Sequence, residues 1–287
     1  MPRIRLLLCA ALACASATAA AHDTWFERRP VEAGELRLAL GTGNVYPIFD
    51  SGIDARYLVE SGCRAGALAT TLQPLGNEPQ SLLLRGLSQA ATCWAQLAPF
   101  ELTLAPDKIA VYLREVGAGP ELRATWAAMA ARGLPWRERY TKHARIELGV
   151  PSSRPTPLGL DLVIDHPGPV QTGGLIEVQV LRDGLPLAGQ AVELRGSVLP
   201  LGIWRRSDAR GRLQMPVPTA GRWVLRAIDL RLSESRPDTW ESRFATLAFE
   251  VQAPQKGSNL SSNARSVNQT NASAAITSEP PSSTTRR

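Results

Sequence analysis

The sequence predicts a mostly β protein with two β-sandwich-like domains, a short helical insertion, a cleaved signal peptide and a disordered C-terminal tail. Three observations support this fold class. Short runs of alternating apolar and polar residues recur along the chain, turn residues separate them, and a proline-rich segment divides the series in two. We therefore expect an N-terminal β domain at residues 22–150, a linker at 151–157 and a second β-sandwich at 158–251.

Residues 1–21 have the features of a secretory signal peptide. Arg3 and Arg5 give a basic start, an apolar run follows, and small residues precede two cleavage positions, after Ala19 and after Ala21. The apolar run is too short to span a membrane, so we expect no transmembrane segment in the mature chain. The mature protein is therefore predicted to be periplasmic or secreted.

Alternating segments predict the strands of the first domain at 36–40, 57–59, 82–84, 92–97, 100–104 and 109–113. The segment Gly41-Thr42-Gly43-Asn44 is expected to end the first of these strands. The helical insertion is predicted at 120–145. Pro120 begins a helix that ends near Gly133, and residues 134–145 follow as a second helical or irregular piece.

Strands of the second domain are predicted at 160–164, 175–181, 191–194, 203–206, 213–217, 222–228 and 245–251. Turns such as Arg182-Asp183-Gly184 separate them, and about seven short strands with regular turns favour a β-sandwich. Residues 252–287 are rich in Ser, Asn, Thr and Pro and show no periodicity, which predicts a disordered tail.

The formal net charge of +6 lies mainly outside the predicted folded part. Basic residues of the leader and the tail account for nearly all of it, so the folded part is close to neutral and a nucleic-acid partner is not expected. The sequence contains no G-x-S-x-G, H-E-x-x-H or P-loop motif. We therefore predict that the protein is not an enzyme.

Two cysteines, Cys63 and Cys93, remain after removal of the leader. An even pair in an exported protein indicates a disulfide. Closing a loop of this length would stabilise the fold by about 3 to 4 kcal/mol on the chain-entropy model.

His22 follows the second predicted cleavage position, which places an imidazole beside a free amino terminus. An α-amine and an imidazole both titrate near neutrality, so both readily lose a proton to bind a metal. A cut after Ala21 leaves a two-nitrogen chelate, and a cut after Ala19 adds two backbone amides that suit Cu(II) or Ni(II). A histidine at this position can equally be a residue that happens to follow the cut.

The other two histidines, His143 and His166, lie at the edges of predicted strands. If the fold brings either of them to His22, a site of three or four nitrogens for nickel, cobalt or copper results. Asp23 or Glu27 would then orient the imidazole as a neighbouring carboxylate. We name His22, His143 and His166 as candidate metal ligands.

The segment His22-Asp23-Thr24-Trp25-Phe26-Glu27 resembles the start of mature proteins in DUF4198, a bacterial periplasmic family of unknown function. Residues 139–145 strengthen this resemblance, and residues 180–189, 207–212 and 220–223 resemble a carboxypeptidase-regulatory or transthyretin-like sandwich. The resemblance implies a secreted β protein, sometimes found beside nickel or cobalt uptake systems. It also implies that His22 is the first metal ligand and His143 a further candidate.

These features lead to a prediction of function with two alternatives. We predict an accessory protein that binds a transition metal and presents it to a membrane transporter. The first alternative is a non-enzymatic β-sandwich that binds a protein or a glycan. The second is a copper oxidase with an amino-terminal histidine chelate, which would need a second histidine close to the first.

Overall fold

The computed structural model describes residues 22–31 and 34–253. In chain order its elements are β1 (Asp23–Arg29), β2 (Leu36–Gly43), β3 (Ser51–Gly52), a 3₁₀ turn (Ala55–Tyr57), β4 (Leu58–Ala65), β5 (Leu68–Thr70), β6 (Gln73–Glu78), β7 (Ser81–Gly86), β8 (Thr92–Leu97), β9 (Phe100–Leu104), α1 (Pro106–Glu115), α2 (Pro120–Ala131), β10 (Trp136–Glu147), β11 (Leu160–Asp165), β12 (Leu175–Arg182), β13 (Leu185–Pro186), β14 (Ala191–Gly196), β15 (Leu199–Arg206), β16 (Arg212–Pro216), β17 (Gly221–Leu232) and β18 (Trp240–Val251).

These strands form three sheets, and the predicted mostly β fold class is confirmed. The first sheet has the order β1-β2-β7-β6, with β3 paired to β2. The central sheet has nine strands in the order β15-β14-β17-β18-β10-β8-β4-β5, with β9 paired to β10. In the third sheet β12 pairs with β11, β13 and β16.

The first and third sheets pack on opposite faces of the central sheet. Neighbouring residues of β18 project to opposite faces, as in any strand. Ala248 belongs to the same buried cluster as Phe26 and Leu40 of the first sheet. Leu247 belongs to a different cluster, together with Leu162 of the third sheet. The central sheet is therefore covered on both sides.

Helices α1 and α2 cover another part of the central sheet. Tyr112 of α1 and Met129 of α2 share a buried cluster with Trp136 and Trp240. The two tryptophans stack with their ring centroids 4.7 Å apart. The helices stabilise the fold by covering these large aromatic side chains of β10 and β18.

One segment predicted as a strand is helical. Residues 109–113 lie in α1, which begins at Pro106. Ile109, Tyr112 and Leu113 form the buried side of this helix, and their spacing follows the helical period rather than strand alternation. Proline at the first helical turn is a start signal that favours this helix over a strand.

The second part of the predicted helical insertion is a strand. Residues 120–131 form α2 as expected, but residues 136–147 form β10. This strand pairs in parallel with β18 and antiparallel with β8 and β9. Pairing with strands on both sides outweighs the helical propensity of its Arg, Lys and Glu residues.

The two predicted domains share the central sheet. Strand β10 comes from the first predicted domain, and its parallel neighbour β18 comes from the second. Residues 22–31 and 34–253 accordingly group into one compact unit, which differs from the expected division at 151–157. Long-range pairing of this kind leaves no local sequence signal.

The predicted disulfide between Cys63 and Cys93 is present. The two residues are direct partners in the pairing of β4 with β8. Both side chains are fully buried, so the bond lies between the central sheet and the first sheet.

The predicted signal peptide at 1–21 and nearly all of the predicted tail lie outside the described residues. Within the described part of the chain, no helix is long and apolar enough to cross a bilayer.

Candidate functional site

Strand β1 fixes the first residues that the structure describes against the central sheet. Three of its side chains on one face contact β17. The Asp23 carboxylate lies 2.8 Å from Nε of Arg226, and the Glu27 carboxylate accepts a hydrogen bond of 3.1 Å from Arg222. Between them, Trp25 packs in a buried cluster with residues of the first sheet and of β17. The alternation of this segment therefore serves to anchor the strand.

Asp23 is part of a buried group of charged side chains. Arg226 donates a hydrogen bond of 2.9 Å to Glu193, and Arg195 forms a salt bridge of 2.9 Å with the same carboxylate. Burial lowers the pKa of Lys142 to about 8, although the charge of Asp23 opposes this shift. Asp23 therefore compensates buried cations of the central sheet, which differs from its predicted role beside the histidine.

Glu27 also differs from its predicted role. Its carboxylate binds Arg29 at 3.0 Å and Arg222 at 3.1 Å. These contacts occupy the carboxylate at a position five residues beyond His22, so Glu27 does not orient the imidazole.

The carboxylate beside His22 belongs to Asp50. Nε2 of His22 lies 3.8 Å from Oδ2 of Asp50, an ion-pair distance longer than a hydrogen bond. The backbone N–H of Asn44 donates to the same oxygen at 2.8 Å, and the N–H of Asp50 donates to the carbonyl of Thr42 at 2.8 Å. The backbone on both sides thus holds this carboxylate in place.

Two glycines of β2 allow the loop 44–50 to fold back and carry Asp50 to His22. A Cβ atom at Gly43 would lie 2.2 Å from the carbonyl oxygen of Ile48, and a Cβ atom at Gly41 would lie 2.4 Å from the Phe49 ring. Phe49 stacks on Trp25 with centroids 5.3 Å apart. Gly41 and Gly43 lie within β2 and do not end it as expected. They allow the close approach of the loop to the strand.

His143 is enclosed on a different face from the amino terminus. Its side chain is 2 % exposed, and Nδ1 lies 3.2 Å from the carbonyl oxygen of Phe244. Burial lowers the pKa of His143 to about 4. Lys142 precedes His143 in β10, so the two side chains project in opposite directions. The charge of Asp23 acts to raise the pKa of Lys142, so Lys142 lies on the side of the amino terminus.

His166 follows the end of β11, in the third sheet. Its Nδ1 lies 2.7 Å from the carbonyl oxygen of Gly168, a contact within its own turn. The third sheet covers the face of the central sheet away from β1, so the fold does not bring the three histidines together. Within residues 22–31 and 34–253, no three His, Cys, Asp or Glu side chains form a metal-binding cluster.

Sequence reasoning missed Asp50 because nothing local distinguishes it. It lies 28 positions after His22 and reaches it only through the folded loop that the glycines permit. The pair Gly41-x-Gly43, followed by the apolar Val45, Tyr46 and Phe49, is the one sequence feature that could have indicated such a loop.

A groove of about 710 Å³ opens beside this region. The loop residues Asn44 and Tyr46 form one wall, and Trp204 of β15 forms part of the other. Glu193 and Arg195 contribute to its lining, so the buried charged group reaches the surface here.

The sequence matches the family described as Domain of unknown function (DUF4198) over residues 19–229. The chain belongs to this family. The matched residues of this DUF4198 protein include the His22–Asp50 pair and strand β1. No curated protein matches the chain.

Proposed function

We propose that this DUF4198 protein binds a divalent nickel, cobalt or copper ion outside the cytoplasm and presents it to a membrane transporter. The observation that carries the proposal is the position of His22. Its imidazole stands next to a fixed carboxylate, at the start of a strand that is anchored by buried ion pairs.

The donor atoms near His22 suit such an ion. After a cut behind Ala21, the amine and Nδ1 of His22 can close one chelate ring. Nε2 faces Asp50, and a carboxylate on the second ring nitrogen of a ligating histidine fixes the ring and raises its basicity. A cut behind Ala19 would instead offer the amine, two amides and the imidazole. Both sets are rich in nitrogen, as nickel, cobalt and copper prefer.

The exposure of His22 fits a role in handing over an ion. Its side chain is 34 % exposed, whereas His143 is almost fully enclosed. An ion bound at His22 would remain open to ligands from a partner, and its exchange needs no opening of the core. Binding and transfer require no catalytic step, in keeping with the expectation that the protein is not an enzyme.

The copper-oxidase alternative gains no support from the site. It would need a second histidine beside His22, and the described chain places His143 and His166 elsewhere. Asp50 supplies a carboxylate at that position.

Calorimetric titration of the mature protein with Ni(II), Co(II) and Cu(II) tests the proposal. We expect one ion per chain, loss of this binding in His22→Ala, and unchanged binding in the control His166→Ala. Asp50→Asn should weaken binding by about 10- to 100-fold, since it removes the carboxylate that orients the ring. Binding by His22→Ala as tight as that of the parent protein would refute the proposal.

The transport role needs a measurement in cells. A strain without the protein should accumulate less of the ion when that ion is scarce. The parent gene should restore accumulation, whereas His22→Ala should not. Equal accumulation in all three strains would contradict presentation to a transporter. It would not contradict metal binding by the protein.

A further inference from the structure

A cavity of about 500 Å³ lies between the helices and strand β15, and its lining is strongly basic. We define the arginine pocket by the side chains of Arg114, Arg123, Trp204, Arg205 and Arg206. We propose that this pocket binds the phosphate group of a phosphorylated sugar. It shares no residue with the His22–Asp50 site.

Backbone carbonyls hold two of these guanidinium groups in place. Arg123 donates to the carbonyls of Ala118 at 3.1 Å and Leu113 at 3.0 Å. Carbonyl oxygens orient a guanidinium group but do not neutralise its charge. The remaining N–H groups stay free to bind a charged ligand.

Arg206 is held in the same manner from another direction. It donates to the carbonyls of Gly189 at 2.8 Å and Gly117 at 2.9 Å. The pocket therefore receives oriented guanidinium groups from both the helical segment and the edge strand.

The part of the chain that the structure describes does not compensate the charge of the pocket. None of its four arginines forms a salt bridge with a carboxylate in residues 22–31 and 34–253, and no Asp or Glu lines the cavity. Arg195 and Arg226, by contrast, both pair with Glu193. Four like charges around one cavity repel each other, so an anion bound there would be favoured.

The chemistry of guanidinium groups suits a phosphate group. Each presents N–H donors in a planar fork that matches two phosphate oxygens. A phosphate monoester carries about −1.5 to −2 charges and three strong acceptor oxygens, so it can bind several guanidinium groups at once.

Trp204 supplies an apolar surface next to the arginines. Its ring is 38 % exposed, and it lies against Gly117, where a Cβ atom would be 3.0 Å from the ring. Gly117 has φ +64°, a conformation that favours glycine, and the absence of a side chain there lets the ring approach the turn after α1 closely. An exposed indole beside guanidinium groups fits a ligand that carries a ring with an apolar face next to its phosphate, as a sugar phosphate does.

The test uses the mature protein and calorimetric titration with glucose 6-phosphate, glucose and inorganic phosphate. The double variant Arg114→Glu/Arg205→Glu reverses two exposed charges of the pocket. Arg205 bonds only the carbonyl of the adjacent Trp204, so its replacement breaks no contact between elements. The matched control is Arg85→Glu/Arg137→Glu, which reverses two exposed arginines on other strands.

We expect glucose 6-phosphate to bind more tightly than phosphate, and glucose not to bind. The pocket variant should lose roughly tenfold or more in affinity, and the control should stay within about twofold, because charged hydrogen bonds are lost only in the first. Equal losses in both variants, or no binding of glucose 6-phosphate, would overturn the proposal.

Vesicles distinguish the source of the phosphate. Phosphatidylcholine vesicles with and without phosphatidylglycerol are compared in a flotation assay at the same salt concentration. Binding that needs phosphatidylglycerol and the pocket arginines, without binding of glucose 6-phosphate, would assign the pocket to a lipid headgroup and overturn the proposal of a sugar phosphate. Binding of glucose 6-phosphate alone would assign it to a soluble sugar.

Discussion

The three histidines of the chain have different surroundings, which determine what each can do. His22 is part-exposed beside a carboxylate, His166 contacts a carbonyl of its own turn, and His143 is enclosed in the core. A neutral imidazole can be buried with one hydrogen bond, but a charged one loses its hydration there. His143 is therefore a structural residue with a pH-dependent cost.

We predict that stability falls as the pH falls from about 6.5 to about 4. The pKa of His143 is 6.5 in the unfolded chain and about 4 in the folded protein. In this window the unfolded state binds more protons, so protonation favours unfolding, by up to about 3 kcal/mol in total. The free energy of unfolding should be measured in urea at pH 7 and pH 4.5.

His143→Asn tests the origin of that dependence. Asparagine can keep a donor to the Phe244 carbonyl without titrating, so the variant should lose less stability on acidification than the parent protein. The control His166→Asn should behave like the parent. An unchanged difference between pH 7 and pH 4.5 in His143→Asn would show that other groups cause the effect.

At this scale the sequence predicted the residues that have a distinctive local signal. The disulfide could be predicted because two cysteines remained in an exported chain. Asp50 could not, since its proximity to His22 depends on a loop that packs on Trp25. The role of His143 was missed because burial depends on strands that are distant in sequence.

Among the elements, β10 shows how buried charges can be accommodated in a central strand. Its Arg145 is fully buried and bonds Glu147 at 2.7 Å and Asp161 at 3.1 Å. Arg145 also donates to the carbonyl of Ser152 at 2.6 Å. The proline-rich segment 151–157 is thus bound to β10 by these contacts and is not a free linker.

We predict that Arg145→Leu destabilises the protein by about 3 to 5 kcal/mol. It leaves Glu147 and Asp161 buried without their cation, and breaking one side of a buried ion pair has this cost. Chemical denaturation measures the change. The exposed control Arg137→Leu should change stability by no more than about 0.5 kcal/mol.

Neutralising the two acids should partly reverse the loss. The triple variant Arg145→Leu/Glu147→Gln/Asp161→Asn removes the uncompensated charges, so it should be more stable than Arg145→Leu alone. If the triple variant is less stable than the single one, the loss comes from packing and not from buried charge. Such a network was not evident from the sequence, where residues 134–145 were predicted to be a helical or irregular piece.

For the whole molecule, the sequence predicted the class of fold and most strands but not how they assemble. Alternation along one strand indicates that it has a buried face, yet it does not identify the strand that pairs with it. The parallel pairing of β10 with β18 joins residues about 100 positions apart and merges the two expected domains. The prolines at 151–157 mark a segment between β10 and β11 that is bound to β10.

We predict that Cys63→Ala/Cys93→Ala lowers the free energy of unfolding by about 3 to 4 kcal/mol. The bond closes a loop with a sequence separation of 30, and its removal frees that loop in the unfolded chain. Urea denaturation of the parent and variant measures the loss. A reductant should destabilise the parent but not the variant, and a loss below about 1 kcal/mol would contradict the loop-closure estimate.

The docking of β1 determines whether the predicted cleavage or folding has to come first. Asp23 is the second residue after the predicted cut behind Ala21, and it is paired with Arg226 once folding is complete. A peptidase needs several extended residues around the bond that it hydrolyses. The docked strand β1 makes the residues after the predicted cut inaccessible to it. The predicted cleavage after Ala21 would therefore have to precede folding, because a precursor that folded first would keep its leader and never expose the amine.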